Sequence, residues 1–365
     1  MQRAGASGSF WRRLAGAAAL GALALCSGCS TLAYYAQAVH GHLDLLARAK
    51  PLQDWLDAPT TPEPLRQRLR LAQQLQHFAV DELKLPPTRS YHRYAELPRP
   101  AAVWNVVAAP ELSLTLRTWC FPLMGCVGYR GYFERAAADA LAERLRGEGL
   151  EVLVYGVPAY STLGWTEWLG GDPLLSTFID WPEADLARLL FHELAHQMAY
   201  AADDTSFNES YATAVERLGS RAWRAARPPQ AAEQAAEQAS EATDARRADW
   251  RALMQRQRER LQALYDEPID AAAKRERKAA LMQAWRAEYE AIKRQRWAGF
   301  VGYDAQVARA NNASFGVQAA YDELVPAFER LFAREGGDWS RFHAEVRRLA
   351  ALPRAERRAA LLAPS

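Results

Sequence analysis

The segment FHELAHQMAYAADDTSFNESYA, which starts at Phe191, carries histidine and glutamate side chains at a spacing that suits metal chemistry. Residues four positions apart lie on the same face of a helix, so His192 and His196 present two imidazoles to one point. Imidazoles are common ligands of a tetrahedral zinc ion. Glu193 lies one position along, where it can reach a water molecule at the metal without ligating the ion itself. We therefore predict a site for one Zn²⁺ ion, with Glu193 as the general base.

The third zinc ligand is predicted to be Glu209. A catalytic zinc ion has three protein ligands and keeps its fourth position for water. Glu209 follows His196 by 13 residues, and a turn between two helices would bring it back to the histidines. Two alternatives remain open. Ser206 and Glu209 also match the S-x-x-E capping box, in which Glu209 would bind the start of its own helix, and the two histidines could be a hydrogen-bonded pair in the core.

Four further residues are predicted to support this centre. Glu216 follows Glu209 by seven positions on the same helix face. It could orient a zinc-bound histidine, although a surface ion pair fits the pattern equally well. Asn208 directly precedes the third ligand and is expected to lie beside the metal site. Tyr160 and Tyr321 are candidate donors to the oxyanion of acyl transfer, against the alternative that both belong to the core.

The two helices that carry the metal ligands have clear signals in the sequence. Pro182 and the acidic residues after it favour a helix start, and the first helix is predicted over residues 182–201. The second is predicted over residues 208–223. Strand patterns precede them in AAVWNVVAA, LSLTLRTW, EVLVYGV and PLLSTFI, with the helix FERAAADALAERLRGEG between the second and third. The pattern predicts an α+β fold, predominantly helical, with a small sheet packed against the helix pair.

The remaining sequence divides by composition. Residues 230–297 begin with an Ala-, Glu- and Gln-rich stretch and continue as two charged helical patterns broken near Pro268. They predict a long helical hairpin that stands off the body, either as a solvated structural element or as an arm for a protein partner. The predicted regions are a signal peptide at 1–28, an N-terminal helical region at 29–99, a catalytic core at 100–229, the hairpin at 230–297 and a C-terminal helical region at 298–365.

The first thirty residues have the features of an export signal. Three arginines precede an apolar run from Leu14 to Leu25, which is too short to span a membrane. The sequence LCSGCS then resembles a bacterial lipoprotein processing site, in which Cys29 receives the lipid. We therefore expect a lipid-anchored protein of the cell envelope that faces the periplasm, and the serine after Cys29 favours the outer membrane. A plain secretory signal is the alternative.

Cys120 and Cys126 would remain after processing. In an oxidising compartment they could close a small disulfide loop, worth roughly 2 kcal/mol, or remain as two buried thiols. The net charge of +2 gives no indication of a nucleic-acid partner. A peptide substrate and the membrane are the expected partners.

Separate segments over much of the chain resemble one family, the bacterial lipoproteins labelled predicted aminopeptidases. They include YYAQAVHGHLDLL, WNVVAAPE, WCFPLMGCVGYRGYF, VPAYSTLGW, FHELAHQ, DDTSFNESYATAVE and NNASF. The family is similar to the gluzincins, a group of zincin metallopeptidases. The resemblance implies that His192, His196 and Glu209 bind zinc on a zincin-type helix pair, with Glu193 as the base.

The function expected from these features is zinc-dependent hydrolysis of peptide bonds, at a peptide N-terminus as the family label implies. Glu193 would take a proton from water and pass it to the leaving amine. Two alternatives use the same residues: a periplasmic assembly factor or chaperone with a non-catalytic zinc site, and an endopeptidase or amidase of cell-wall peptides. A structural zinc ion usually has four protein ligands, and the sequence offers three, which counts against the first alternative.

Overall fold

Helices make up most of the protein, and its strands form small sheets. The computed structural model describes residues 32–121, 125–160, 170–227 and 231–363. Within these ranges it describes the side chains of all residues except 231–240 and 319–322. The fold is α+β and predominantly helical, as predicted. Within these ranges, no helix is both long enough and apolar enough to cross a membrane. Cys29, the predicted lipid attachment site, lies outside the described residues.

The chain divides into two units after Arg48. Helix α1, residues 32–48, belongs to the first unit. The helices of the second unit are α2 (Leu52–Asp57), α3 (Glu63–Asp81), α4 (Arg135–Gly147), α5 (Glu183–Ala195), α6 (Thr205–Ala225), α7 (Ala231–Asp266), α8 (Ala271–Arg296), α9 (Asp304–Arg309), α10 (Asn312–Asp322), α11 (Val325–Arg334), α12 (Trp339–Ala350) and α13 (Arg354–Leu362). Its strands are β1 (Lys50–Pro51), β2 (Arg93–Ala95), β3 (Val103–Pro110), β4 (Trp119–Phe121), β5 (Gly125–Val127), β6 (Arg130–Tyr132), β7 (Leu150–Val157) and β8 (Leu174–Leu175).

The longest strands, β3 and β7, form one sheet with β6 in the order β6-β3-β7. β3 pairs antiparallel with β7, from Val103 opposite Val157 to the last residue of β3 opposite the first of β7. Valine and alanine side chains fill β3, and α10 covers one face, where Val107 and Ala109 pack against Ala313. Among the described strands, β7 therefore forms one edge of this sheet.

Two predicted strands differ from the structure. The segment LSLTLRTW forms no strand before Trp119, and residues 113–118 run as irregular backbone. Its alternating pattern has another cause, because Leu114 packs in the hydrophobic cluster of the helical hairpin and Leu116 lies against a glycine of α10. The segment PLLSTFI pairs only at Leu174–Leu175, since the backbone then turns and the Leu175 carbonyl accepts from N–H groups three and four residues ahead.

Helices α7 and α8 form the predicted hairpin. The expectation that the hairpin stands off the body is wrong. Its buried aromatic residues Trp250, Trp285 and Tyr289 share one hydrophobic cluster with Leu114 and Phe315 from the body. The sequence does not predict this buried face of the hairpin, because its few apolar residues are separated by many charged ones.

Cys120 and Cys126 form a disulfide, which the sequence offered as one of two alternatives. The two cysteines lie opposite each other in the hairpin of β4 and β5. Gly125 in this hairpin has a φ of 71°, and a side chain there would meet the Ala202 carbonyl oxygen at 2.5 Å. The disulfide hairpin therefore lies directly against the connector that follows α5.

A buried histidine gives the fold a pH-dependent stability. His343 of α12 donates from Nε2 to the Leu83 carbonyl at 2.8 Å, and its Nδ1 accepts from the Tyr211 hydroxyl at 2.8 Å. Burial lowers the pKa of His343 to about 4. Between pH 6.5 and pH 4 the unfolded chain binds a proton at this residue that the folded chain does not bind. The free energy of unfolding is therefore expected to fall with acidification across this window, by up to about 3 kcal/mol from His343 alone.

Urea unfolding of the wild type and of His343→Gln at several pH values checks this expectation. The loss of unfolding free energy on acidification should be smaller in His343→Gln, because glutamine does not titrate. Equal pH slopes in the two proteins would show that His343 does not contribute.

Candidate metal centre

Helix α5 carries the two histidines at its C-terminal end. Pro182 precedes the helix and two acidic residues lie in its first turn, where they interact favourably with the helix dipole. The sequence predicted a helix to Ala201, but α5 ends at Ala195. His196 still has helical backbone angles, with φ −60° and ψ −24°. The four-residue spacing therefore keeps the rings of His192 and His196 on one face.

Helix α6 begins three residues earlier than predicted, and a different residue caps it. The carboxylate of Asp204 accepts from the backbone N–H of Phe207 at 3.2 Å. Ser206 lies inside the first turn, and its hydroxyl donates to Glu323 at 2.9 Å. The capping-box alternative for Glu209 is therefore wrong.

Asn208 fixes the connector between the two helices. Its Oδ1 accepts from the backbone N–H of Ala201 at 2.8 Å, and its Nδ2 donates to the carbonyl of the same residue at 2.8 Å. Both hydrogen bonds are buried. These two bonds form a clamp between the Asn208 side chain and the Ala201 backbone. The clamp fixes the path by which the chain returns from α5 to α6, and so it fixes the position of Glu209.

His192, His196 and Glu209 lie together as a group that could hold a metal ion. The Nε2 atoms of the two histidines are 3.3 Å apart. Oε2 of Glu209 lies 3.3 Å from Nε2 of His192 and 3.7 Å from Nε2 of His196. The fold thus joins all three predicted ligands at one point.

These three separations agree with the geometry of a zinc site. In a tetrahedral site with bonds of 2.0–2.1 Å, neighbouring ligand atoms are about 3.3 Å apart. The three donor atoms therefore approximate one face of such a tetrahedron. The fourth ligand position of the tetrahedron lies opposite this face. Two imidazole nitrogens and one carboxylate oxygen are also a donor set that zinc accepts in catalytic sites.

The charges at the centre favour a cation. Burial would raise the pKa of Glu209, but the imidazoles of His196 and His192 hold that pKa well below its usual range. Burial lowers the pKa of His192, whereas the hydrogen bonds that its ring can donate to the carboxylates of Glu209 and Glu216 outweigh this effect and raise that pKa well above its usual value. The centre therefore combines an ionised Glu209 carboxylate with a His192 ring that has a carboxylate near each of its two nitrogens.

Glu216 contacts the opposite side of the His192 ring. Its Oε2 lies 3.3 Å from Nδ1 of His192, and its Oε1 accepts from Nε of Arg188 at 2.8 Å. Arg188 also donates to Asp244 of α7 at 2.8 Å. Glu216 thus makes an ion pair that is largely buried, not at the surface, and it also contacts the second ring nitrogen of a candidate ligand. Such a contact fixes ring orientation and tautomer in metal sites.

Glu193 and His192 line a cleft with a volume of about 1180 Å³. Parts of β7, α5, α7 and α10 form its walls. Burial raises the pKa of Tyr91, and the charge of Glu193 adds to this effect, which places the carboxylate near a buried tyrosine. Pockets for small ligands usually measure about 300–1,000 Å³. The cleft is thus large enough for a peptide segment.

Three tyrosines near Glu209 were not among the candidate site residues predicted from the sequence. Burial raises the pKa of Tyr129, Tyr155 and Tyr200, and the charge of Glu209 raises each further. Burial raises the pKa of Tyr155 in β7 to about 12, and both Tyr155 and Glu193 line the cleft. No motif marks these residues, since each belongs to a different segment and only the fold unites them.

The two tyrosines predicted as oxyanion donors gain no support from the described geometry. The ring of Tyr160 packs 5.2 Å from that of Phe133, between centroids, and Tyr160 is absent from the described lining of the cleft. Tyr321 lies in α10, but its side chain is outside the described part of the chain.

A comparison with known families gives one match. The model of a family described as Putative aminopeptidase matches residues 33–361, which include both metal-centre helices and the cleft. No curated protein matches the chain, and no solved structure matches it. The description of the family supports a peptidase-like function, and the chain belongs to this Putative aminopeptidase family.

Proposed function

We propose that the protein is a zinc-dependent peptide hydrolase, in which His192, His196 and Glu209 hold one zinc ion and Glu193 is the general base. The observation that carries this proposal is the triangle of two Nε2 atoms and one Oε2 atom with sides of 3.3, 3.3 and 3.7 Å. Glu193, which follows His192 in the sequence, lines a cleft large enough for a peptide segment. Membership of the family supports the peptidase class.

The residues of the chain divide the chemistry among them. When bound, zinc supplies Lewis acidity and lowers the pKa of a water molecule at the centre. Glu193 would accept a proton from the attacking water and pass it to the leaving amine. Glu216 and Arg188 hold the His192 ring so that its Nε2 faces the centre. Tyr155 lines the same cleft, and its hydroxyl is the donor that we propose for the oxyanion.

The edge strand β7 supports a peptide as the substrate. The Val152 carbonyl accepts from Nδ2 of Asn311 at 3.1 Å, on the side of β7 that faces away from β3. Backbone groups of every second residue in an antiparallel strand point the same way, so Val154 and Gly156 direct theirs to that side as well. Both residues line the cleft. An extended peptide could pair with them as an added strand.

Removal of N-terminal residues is the mode we propose from the description of the family. We further propose, from the N-terminal sequence, that Cys29 anchors the protein by lipid on the periplasmic side of a membrane. A non-catalytic zinc site in an assembly factor is less compatible with the geometry. The described cluster has three donors, whereas a structural site typically has four protein ligands.

One preparation assayed for metal and for hydrolysis tests the proposed function. The full chain should contain one zinc ion and should cleave members of a library of aminoacyl and N-blocked peptides. Cleavage confined to free N-termini would support the aminopeptidase mode, and cleavage of N-blocked peptides would contradict it. Bound zinc without any hydrolysis would favour the assembly-factor alternative.

Substitution of Glu216 is expected to weaken zinc binding. Glu216→Gln removes the negative charge beside Nδ1 of His192, so the zinc Kd should rise by about 10–100-fold. Titration against a fluorescent chelator measures this Kd. Glu143→Gln is the matched control, because Glu143 forms an exposed ion pair with Arg146 on α4. Equal zinc affinity in Glu216→Gln and the control would show that Glu216 does not support the ligand.

A further inference from the structure

Helix α1 exposes large apolar side chains to solvent. Seven large apolar side chains of the described residues are exposed, and α1 contributes four of them: Leu32, Tyr35, Val39 and Leu43. The exposed fraction is 71% for Leu32, 58% for Val39 and 54% for Leu43. Single exposed apolar residues are common on protein surfaces, whereas a concentration of them indicates an interaction site. We call these four residues the apolar stripe.

The apolar stripe lies along one side of the helix. Its members are separated by three, four and four positions, which is the spacing of one helix face. Asp44 and Arg48 form an ion pair at 3.0 Å on the same helix. At 3.6 residues per turn they lie about 130–180° around the helix from the middle of the stripe. Helix α1 therefore has an apolar side and a polar side.

The composition of this helix suits the boundary between lipid headgroups and acyl chains. Residues 32–43 contain no Asp, Glu, Lys or Arg, so insertion of the stripe would remove no charged side chain from water. The rings of Tyr34 and Tyr35 pack edge to face with centroids 5.6 Å apart. Tyrosine is enriched at membrane–water interfaces, because its ring is apolar and its hydroxyl is polar.

The place of α1 in the chain brings it close to the proposed lipid anchor. Leu32 follows Cys29 by three residues, so their Cα atoms are at most about 11 Å apart. Helix α1, residues 32–48, is about 25 Å long. Acyl chains on Cys29 would therefore hold the first turn of this helix within reach of the lipid headgroups.

This tether favours a lipid surface over a protein as the partner of the stripe. A tethered helix meets the membrane at a high effective concentration, so a small apolar area is sufficient for binding. A specific protein interface needs roughly 800 Å² on each partner. Four partly exposed side chains do not supply that area by themselves.

We propose that α1 lies along the membrane surface as an interfacial helix, with the apolar stripe buried at the boundary between headgroups and acyl chains. This proposal rests on the lipid anchor proposed at Cys29 and is independent of the metal centre. Two membrane contacts anchor a protein more firmly than one. The helix also prevents residues 32–48 from rotating freely about the lipid.

An environment-sensitive dye attached to α1 of the full chain tests this proposal. Val39→Cys and Leu43→Cys report on the stripe, and Arg48→Cys reports on the exposed polar side. Each protein is expressed in a bacterium that processes lipoproteins, labelled with NBD and reconstituted in vesicles of phosphatidylethanolamine and phosphatidylglycerol. The wild type treated with the same dye gives the background from other thiols.

At positions 39 and 43 the NBD emission should shift to the blue, and doxyl groups on the acyl chains should quench it. The quenching should place the dye about 5–10 Å below the headgroup boundary. At position 48 the dye should remain in water. An aqueous signal at positions 39 and 43 would overturn the proposal. A blue shift without vesicles that grows with protein concentration would show that a second copy covers the stripe, and it would also overturn the proposal.

The double variant Leu32→Ser/Leu43→Ser, with the dye at Val39→Cys, should lose the blue shift and the quenching. Val301→Ser/Leu362→Ser is the matched control, because it removes two exposed apolar side chains of the second unit and should keep both signals. Leu32→Ile/Leu43→Ile retains the apolar area and should also keep them. Circular dichroism should show equal helix content in all three. A double serine variant with the full signal would overturn the assignment to the stripe.

Mass spectrometry of the N-terminus separates this proposal from the proposed anchor. Lipid on Cys29 together with an aqueous dye at positions 39 and 43 would keep the anchor and overturn the interfacial helix. Cys29 without lipid together with a blue-shifted, quenched dye would remove the anchor and keep the interfacial helix.

Discussion

Glu193→Gln is expected to retain one zinc ion per chain and to lower kcat by about 10²–10⁴-fold, the contribution usual for a general base. Glutamine has nearly the same shape as glutamate, but it cannot accept the proton from water. Glu193 is not one of the three clustered donors, so zinc content should not change. Steady-state kinetics on the best peptide substrate, with metal analysis of the same sample, measures both effects.

The control for this variant is Glu143→Gln, an exposed substitution of the same type on α4. It should leave kcat and zinc content at wild-type values. A Glu193→Gln protein with bound zinc and wild-type kcat would exclude Glu193 as the base. A Glu193→Gln protein without zinc would instead make Glu193 part of the metal site.

Glu209→Ala is expected to lose stoichiometric zinc and to hydrolyse peptides only at background rate. The variant removes the single carboxylate of the donor triangle and leaves two imidazoles, which are too few ligands for a stable site. Metal analysis after dialysis against a weak chelator measures the loss. Circular dichroism of the same sample should show the helix content of the wild type, since Asp204, not Glu209, caps α6.

Ser206→Ala is the matched control for Glu209→Ala. Ser206 and Glu209 would act together in a capping box, whereas the structure pairs Ser206 with Glu323. Ser206→Ala should therefore keep its zinc and its activity. If Glu209→Ala retains zinc with wild-type affinity, Glu209 is not the third ligand.

The relative positions of His192 and His196 could be predicted from the sequence, because the geometry of a single helix determines them. Residues His192 and His196 share a face whenever their segment is helical. This prediction held although α5 ends six residues earlier than predicted, because His196 keeps helical backbone angles at the end of the helix. The identity of the candidate base, Glu193, follows from the same segment.

Glu209 was harder to assign because its position depends on a connector. Four consecutive residues, 203–206, are aspartate, threonine or serine, and each is a favoured helix cap. The sequence could not distinguish them. The deciding contacts are the Asp204 cap and the clamp of Asn208 on Ala201, and both depend on the path of the connector.

The walls of the cleft could not be predicted from the sequence. Trp250, Arg251 and Tyr155 lie far from the metal ligands along the chain, and only tertiary packing brings them to one cavity. The charged pattern of α7 and α8 predicted a solvated hairpin, yet one face of it is buried against the body. Long-range contacts of this kind leave no local period in a single sequence.

Anomalous diffraction at the zinc absorption edge, from crystals of the full chain grown without chelator, is the decisive test for a catalytic zinc ion. We expect one anomalous peak per chain, about 2.0–2.1 Å from Nε2 of His192, Nε2 of His196 and a carboxylate oxygen of Glu209. The fourth position should hold a non-protein ligand on the side of Glu193. No peak at this point, or a peak with a fourth protein ligand that closes the site, would contradict a catalytic zinc centre.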